Sequence, residues 1–157
     1  MTERVYFLPI TALTSLTAVP FAQLATPATV AIQIIAIELG QETSETSQTE
    51  QLTLIHRSTA STLPTATAPV PLAFRAVADV SLLTASTTTN ATGIATVTGT
   101  AIDTILLPSF NVLNSFLWYP PEDMRPTLAP SRFLTLQFKT APAANTWTGG
   151  IYFRENS

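Results

Sequence analysis

Apolar and polar residues alternate at a spacing of two along most of this chain, and the alternation limits the fold more than any other feature. The segment RFLTLQFKT places Leu134, Leu136 and Phe138 on one side, and WTGGIYFRE alternates in the same way through Trp147 and Phe153. Successive side chains of a β-strand point to opposite faces, so this spacing predicts half-buried strands. No segment has a convincing helical period. The chain is therefore predicted to be all-β.

Two further strands are predicted upstream. Residues 74–82 place Phe74, Val80 and Leu82 on one face, with Ala76 and Ala78 between them. Residues 28–39 change phase at Ile34–Ile35, which predicts either a β-bulge or a strand buried on both faces. QLTLIH, residues 51–56, is predicted as a short strand.

The connections differ in length and composition. TAPAANT, residues 140–146, is short and rich in turn-forming residues, so the two strands around it are predicted to form a closing antiparallel hairpin. GQETSETSQTE, residues 40–50, has no apolar side chain and is predicted to be an exposed acidic loop. The proline-interrupted residues 57–71 are predicted to cross from one part of the fold to another.

The segment TASTTTNATGIATVTGTAID, residues 84–103, carries one charge in twenty residues. Residues 91–100 and 101–110 have β-branched side chains at strand spacing, which predicts two strands. Gly93 and Gly99 are expected to mark a turn and a bulge or close backbone approach.

About eight strands result, and the mixture of long connections with short hairpins favours Greek-key joining. The predicted fold is an antiparallel β-sandwich of jelly-roll type. A chain of 157 residues fits one domain, residues 1–157. Residues 1–14 are strongly apolar for a terminus and are expected to form an N-terminal arm or an edge strand.

Charged residues make up 11% of the chain, against about 25% in an ordinary soluble domain. Lys139 is the single lysine, beside six arginines. Scattered charges normally keep proteins apart, and interface cores are depleted in Lys but not in Arg. The composition favours a surface that partners cover, although drift in the source genome accounts for it equally well.

Several partner and site classes are disfavoured. The net charge of -3 and the absence of a basic cluster argue against nucleic acid, and zero cysteines remove thiol chemistry and thiolate metal sites. Prolines interrupt the first apolar stretch at Pro9 and Pro20, and residues 30–39 are too short to span a bilayer, so no membrane segment is expected. No cofactor is expected.

The candidate catalytic and metal residues are few. His56 is the single histidine, which rules out a multi-histidine metal site, and a strand-end surface histidine is the better interpretation than a catalytic one. No two acids are paired by the sequence as a glycosidase requires, and the acidic loop lacks the carboxylate spacing of a calcium loop. Asn90-Ala91-Thr92 matches the N-glycosylation pattern, as expected by chance in a chain so rich in Thr. An enzyme is not expected.

FLWYPPEDMRP, residues 116–126, is the most unusual stretch. Two prolines hold the chain extended after two aromatic residues. Three charged residues follow, in a chain that has few charges elsewhere. A strand end with a rigid loop is the minimum description. The functional hypothesis is an inter-subunit loop whose arginine pairs with an acid on a neighbour. A sugar-stacking platform of Trp118, Tyr119 and Trp147 is a further alternative.

VSLLTASTTTNATGIATVTGTAIDTILLP and FLTLQFKTAPAANTWTGGIYFRE, residues 80–108 and 133–155, resemble the jelly-roll capsid decoration, or cement, proteins of tailed phages. The resemblance lies in the residue composition and the strand order. It implies a non-enzymatic virion protein, made in the host cytoplasm, that forms a homotrimer and binds the major capsid protein lattice on the outer capsid surface. The alternative is a carbohydrate- or receptor-binding jelly-roll module of a phage tail or cell surface. The candidate interface residues are Val5, Tyr6, Phe7, Leu8, Trp118, Tyr119, Glu122, Asp123 and Arg125.

Overall fold

The computed structural model describes residues 4–14, 16–43, 47–72, 80–143 and 145–156. In these residues the chain forms fourteen β-strands and one short 3-10 turn, Glu122–Met124. The strands are β1 (Arg4–Leu13), β2 (Ala22–Ala25), β3 (Ala31–Gln41), β4 (Thr49–Glu50), β5 (Leu52–Arg57), β6 (Thr65–Ala66), β7 (Val70–Pro71), β8 (Ala91–Thr92), β9 (Ala101–Leu106), β10 (Phe110–Asn111), β11 (Phe116–Trp118), β12 (Thr127–Leu128), β13 (Phe133–Phe138) and β14 (Trp147–Asn156).

The longer strands build two antiparallel sheets. The first sheet has the order β11-β3-β14-β1-β7. β12 also pairs with β3, nearer the start of β3 than β11 does. The second sheet has the order β6-β8-β2-β13-β5-β9, and β4 pairs with β10 outside both sheets. The inner faces of the two sheets meet in one hydrophobic core, so the predicted all-β sandwich is confirmed.

The core is filled by the residues whose alternation predicted the strands. Leu136 and Phe138 from the second sheet and Trp147, Ile151 and Phe153 from the first are all fully buried. Across the core, the rings of Phe138 and Trp147 lie 5.0 Å apart between centroids. Burying large aromatic and aliphatic side chains is the main favourable contribution to folding, at roughly 2 kcal/mol each.

The predicted closing hairpin is wrong. β13 pairs with β2 and β5, whereas β14 pairs with β1 and β3, so the chain passes from one sheet to the other between Phe138 and Trp147. The apolar faces of β13 and β14 pack against each other across the core, which two hydrogen-bonded neighbours in one sheet cannot do.

The predicted irregularity in β3 is a β-bulge. Tyr152 pairs with Ala36 and Phe153 pairs with Ile34, which leaves Ile35 without a partner in β14. The extra residue shifts the inward-facing phase, so that Ile34 and Ile37 are both buried.

The Thr-rich segment mostly forms a covering layer, which corrects the prediction of a strand over residues 91–100. Only Ala91–Thr92 belongs to a strand there. The next predicted strand, which begins at residue 101, is confirmed by β9. The layer lies over the outer face of the second sheet, where the fully buried Gln23 donates from Nε2 to Thr89 O at 2.9 Å and accepts at Oε1 from Ser61 N at 2.8 Å. Asn90 is buried in the same layer and binds Ala25 N, so it has a structural role.

Both glycines of this layer have the predicted functions. Gly93 has a φ of 99°, which disfavours any side chain. A Cβ on Gly99 would lie 2.0 Å from Thr59 O, so the backbones approach each other closely there.

Two further predictions need correction. Residues 73–79 lie outside the described residues, and Val80 and Leu82 are exposed and belong to no described strand. The Glu155 carboxylate binds the Ser81 hydroxyl and Leu82 N, which holds this segment as a loop. In the acidic segment 40–50, Glu42 and Thr43 are exposed as predicted, but Glu50 is buried.

Candidate functional site

β9 lies at one edge of the second sheet and is the most exposed of the longer described strands. All six of its residues are exposed, including Ile102 at 48% and Leu106 at 57%. Leu107 N donates to Leu52 O, and bonded and non-bonded pairs alternate in antiparallel ladders. By this alternation, Thr104 and Leu106 direct their N–H and C=O groups away from β5. β9 therefore combines apolar side chains with backbone groups that point away from the sheet.

Natural edge strands usually carry lysine, proline or a bulge that prevents pairing with another chain. β9 has a register shift near Ala101 and one charge, Asp103, but no lysine or proline. Residues 102–106 are otherwise regular. Such an edge is open to association.

The first sheet ends on the same side of the sandwich. β11 and β12 follow one another along β3, and residues 119–126 leave the sheet between them. Leu117, Tyr119 and Met124 are exposed there, at 66%, 63% and 70%. We call β9, β12 and residues 117–125 the β9 side of the sandwich.

The charges of residues 119–126 are largely engaged within the chain. The Arg125 guanidinium lies over the Tyr119 ring, 5.2 Å from its centroid, and Nη2 donates to the Tyr119 hydroxyl at 3.0 Å. Arg125 Nε also donates to Pro120 O at 3.3 Å. The expected pairing of Arg125 with a neighbouring subunit therefore has an intramolecular competitor. These contacts hold the Arg125 side chain against residues of its own loop.

The acids of this loop behave differently from each other. Glu122 Oε1 lies 3.3 Å from Arg154 Nη2, at the outer face of the first sheet. Asp123 is exposed in the 3-10 turn. Asp123 is therefore the better placed of the two to meet a partner.

A pocket of about 230 Å³ separates β9 from β12. Its walls are mainly aliphatic, and its polar side chains are His56, Asp103 and Thr127. The lining residues are Ile34, Leu54, His56, Asp103, Ile105, Pro126, Thr127, Leu128 and Leu134. The pocket joins the edges of the two sheets into one continuous side.

His56 and Asp103 are opposite each other on β5 and β9. Asp103 Oδ2 lies 3.4 Å from His56 Nδ1, and His56 Nε2 is shielded from solvent and has no hydrogen-bond partner among the residues that the structure describes. The His56 side chain is 30% exposed. The predicted strand-end surface histidine is thus half-buried in the wall of a pocket.

The N-terminal candidates do not join this side. Tyr6 and Leu8 are fully buried in the core, because alternate residues of β1 face the second sheet, and only Val5 and Phe7 face outward. β3 and β14 separate β1 from β11. The prediction that Tyr6 and Leu8 contact a partner is therefore corrected.

The sugar-stacking platform is also corrected. Trp147 is fully buried among Phe110 and Phe138, where no sugar can reach its face. Trp118 is half-buried against the core. Tyr119 alone is well exposed, and Arg125 already lies over its ring.

No sequence pattern indicates the His56–Asp103 pair, because the pair depends on the register between β5 and β9. The exposure of β9 was also missed. Its apolar alternation resembles that of a half-buried strand, and only its place at a sheet edge makes it accessible.

No family model, curated protein or solved structure was found to match this chain. Among the residues that the structure describes, no group of three acidic or histidine side chains could hold a metal ion. In the same ranges, no helix is long and apolar enough to cross a membrane. Function has to be inferred from the geometry of the site.

Proposed function

We propose that this protein has a structural role and acts by assembly, binding copies of itself and a larger protein lattice. The observation that supports this most strongly is β9, an exposed apolar edge strand without lysine or proline. Leu117 and Met124 extend the apolar surface on the same side. Exposed apolar surface of this kind is typical of protein–protein interfaces.

We further propose that the sandwich is a jelly roll. The proposed jelly roll has eight strands when β11 and β12 are counted as one interrupted strand. In chain order they are β1, β2, β3, β5, β9, β11–β12, β13 and β14. In the first sheet, β11/β12-β3-β14-β1, the eighth strand β14 lies between the first strand β1 and the third strand β3. In the second sheet, β2-β13-β5-β9, the seventh strand β13 lies between the second strand β2 and the fourth strand β5. This interleaving supports a double Greek key.

The proposed lattice is a virus capsid, and the proposed assembly is a homotrimer on its outer surface. The resemblance of residues 80–108 and 133–155 to decoration proteins supports this choice. A protein that binds the assembled lattice and not its separate subunits shifts the equilibrium away from disassembly by mass action. The protein would stabilise the capsid without catalysis.

The native mass of the purified protein, measured by light scattering at low and high salt, tests self-association. We expect a trimer at both salt concentrations, because an apolar contact is not screened by ions. A monomer at both concentrations would exclude a preformed trimer.

A pair of variants tests the place of β9 in the contact. Leu106→Lys puts a charge on the edge and is expected to reduce the trimer to monomer. Val97→Lys is the matched control, because Val97 is equally exposed at 57% but lies in the Thr-rich layer. If Leu106→Lys leaves the trimer intact, β9 is not the contact.

A further inference from the structure

We propose that the edge of β9 accepts an extended strand of a different protein, which pairs with the backbone of Thr104 and Leu106 and inserts one aliphatic side chain into the pocket between β9 and β12. This inference rests on the proposed assembly function and deepens it. It assigns the edge of β9 to a strand of the lattice protein and not to a second copy of the chain.

The backbone of β9 provides the first part of the site. Among the described strands β9 pairs with β5 alone, and the N–H and C=O groups of Thr104 and Leu106 point away from β5. An added strand can form hydrogen-bonded pairs with both residues, as peptides do when they extend a sheet at its edge. The antiparallel orientation continues the pairing of this sheet and is the more stable one.

The pocket provides the second part of the site. Asp103 and Ile105 line it, and directly opposite side chains of two paired strands lie on the same face, so the residues opposite these two point toward the pocket. The residue opposite Ile105 belongs to a non-hydrogen-bonded pair, in which side chains approach each other more closely. An apolar cavity of about 150 Å³ accepts a benzene ring, and this pocket has about 230 Å³. A leucine or a phenylalanine side chain therefore fits.

The lining sets the chemistry of the incoming strand. Most of the wall is aliphatic and includes Ile34, Leu54, Leu128 and Leu134. Burial of an aliphatic side chain there is favourable, whereas a charged side chain would lose its hydration. Asp103 is the single acid of β9, and its side chain is 75% exposed. A strand with an aliphatic residue opposite Ile105 and a lysine opposite Asp103 is therefore favoured.

The position of Asp103 argues against a second copy of β9 as the occupant. In an antiparallel pair of two β9 strands, Thr104 and Leu106 must pair with the residues of the second copy whose backbone groups also point outward. Every such register places Asp103 of the second copy on the pocket side, together with the first Asp103. That carboxylate would lose hydration and lie near a like charge. A strand of a different protein avoids this cost.

The direct test is an NMR titration of the labelled full-length protein with the peptide acetyl-Val-Leu-Thr-Lys-Val-amide. In the antiparallel register its leucine lies opposite Ile105 and its lysine opposite Asp103. We expect saturable shifts of the Ile105 and Leu128 methyl groups. We also expect the Thr104 and Leu106 amides to exchange at least about tenfold more slowly in the complex. Absence of saturable binding or of this protection would overturn the proposal.

Two N-methylated peptides test the backbone pairing. A methyl group on the central threonine nitrogen removes the donor that pairs with Thr104 O, so we expect it to abolish binding. A methyl group on the lysine nitrogen is the matched control, because that N–H points away from β9 and its loss should leave binding intact. Equal affinities of the two peptides would contradict pairing at the edge.

A leucine-to-alanine change in the peptide tests the pocket, and we expect it to weaken binding at least about tenfold. Ile105→Trp fills the pocket from the protein side and should remove the difference between the two peptides. Val97→Trp is the control that should keep the difference, because Val97 is 57% exposed in the Thr-rich layer and does not line the pocket. Equal binding of both peptides to the native protein would overturn the role of the pocket.

Light scattering with saturating peptide separates this inference from the proposed assembly. We expect an unchanged native mass, because the Leu106 side chain faces away from the pocket and can contact copies of the chain while the backbone edge is occupied. Peptide binding that dissociates the trimer would show that a second copy holds the edge, which overturns the assignment to a different protein. A trimer that does not bind the peptide would overturn the strand docking alone, whereas a monomer that binds it would overturn the preformed trimer alone.

Discussion

Arg57 is a buried cation whose described hydrogen bonds all go to neutral acceptors. It is 3% exposed, and its guanidinium donates to Thr135 Oγ1, Gln137 Oε1 and Gly99 O. Burial lowers the pKa of Arg57 from its ordinary value, yet an arginine remains charged at neutral pH. The bond to Gly99 O ties the Thr-rich layer to the second sheet, and the other two bonds join β5 to β13 within that sheet.

Arg57→Met tests this contact. The variant leaves three acceptors without a donor, so we expect it to lower the free energy of unfolding by about 2 kcal/mol. Urea denaturation measures the loss, with the exposed Arg132→Met as the control that should change little. Stability equal to the native protein would mean that the cost of burying the charge cancels the three bonds.

Glu50 gives a prediction of pH dependence. It is 4% exposed, its Oε2 has no hydrogen-bond partner within the described part of the chain, and burial raises its pKa above the ordinary value of 4.5. A raised pKa in the folded state means that the folded protein binds the proton more tightly than the unfolded chain. The contribution of Glu50 is therefore most favourable below pH 4.5 and is lost as the pH rises through the folded pKa.

Glu50→Gln should accordingly be more stable than the native protein at pH 7 and similar to it at pH 4. Urea denaturation at both values measures the difference. Asp123→Asn, at an exposed acid, serves as the control and should show no such gain. A loss of stability in Glu50→Gln at pH 7 would contradict the cost assigned to the buried carboxylate.

At the scale of strands, β14 lies between β3 and β1 and depends on two glycines for its close packing. A Cβ on Gly150 would lie 2.2 Å from the Phe7 ring and 2.5 Å from Leu8 O. A Cβ on Gly149 would lie 2.1 Å from Glu38 O. Leu8 O and Glu38 O are backbone atoms, so neither can move away without a shift of its strand.

Gly150→Ala should therefore lower the free energy of unfolding by about 2 kcal/mol or more. Gly40→Ala is the matched control in β3, because its Cβ would meet nothing nearer than Ser115 Oγ at 3.4 Å. Thermal unfolding compares the two. Equal stabilities would show that β1 can shift to accept the methyl group.

Alternation predicted which side chains of β13 and β14 face inward, and the phase change in β3 predicted a bulge or a strand buried on both faces, of which the structure has the bulge. It could not predict which sheet a strand joins, because a period of two is the same in either sheet. The hairpin between β13 and β14 failed for that reason. The Thr-rich residues 91–100 were misjudged because threonine favours strands, whereas the layer is held by long-range bonds to Gln23 and Arg57.

At the scale of the whole molecule, the sandwich combines long central strands with a layer held mostly by side-chain and loop contacts. β14 pairs with β1 and β3 along most of its length. The Thr-rich residues 84–100 contain one two-residue strand, β8, and isolated bridges. The two parts should differ in local stability.

Amide hydrogen exchange measures that difference. We expect the amides of Ile151 and Tyr152 to exchange slowest, close to the rate set by global unfolding, and residues 94–98 to exchange much faster. A covering layer that exchanges as slowly as β14 would mean that it unfolds only together with the sandwich.

The β9 side and the pocket could be predicted from the sequence less well than the fold. The sequence identified residues 116–126 as unusual, and Tyr119 and Met124 are exposed there. The pairing of His56 with Asp103 and the opening between β9 and β12 depend on the register of distant strands. Local composition carries no information on either.

The pairing of β1 with β14 has a consequence for engineering. Arg4 lies opposite Glu155, so residues near both ends of the described chain are neighbours on adjacent strands. A short peptide could join them, and the chain could be reopened in the turn at residues 112–114, giving a circular permutant with every strand pair retained. Peptides joined to Arg4 and Glu155 would for the same reason begin side by side at one corner of the sandwich.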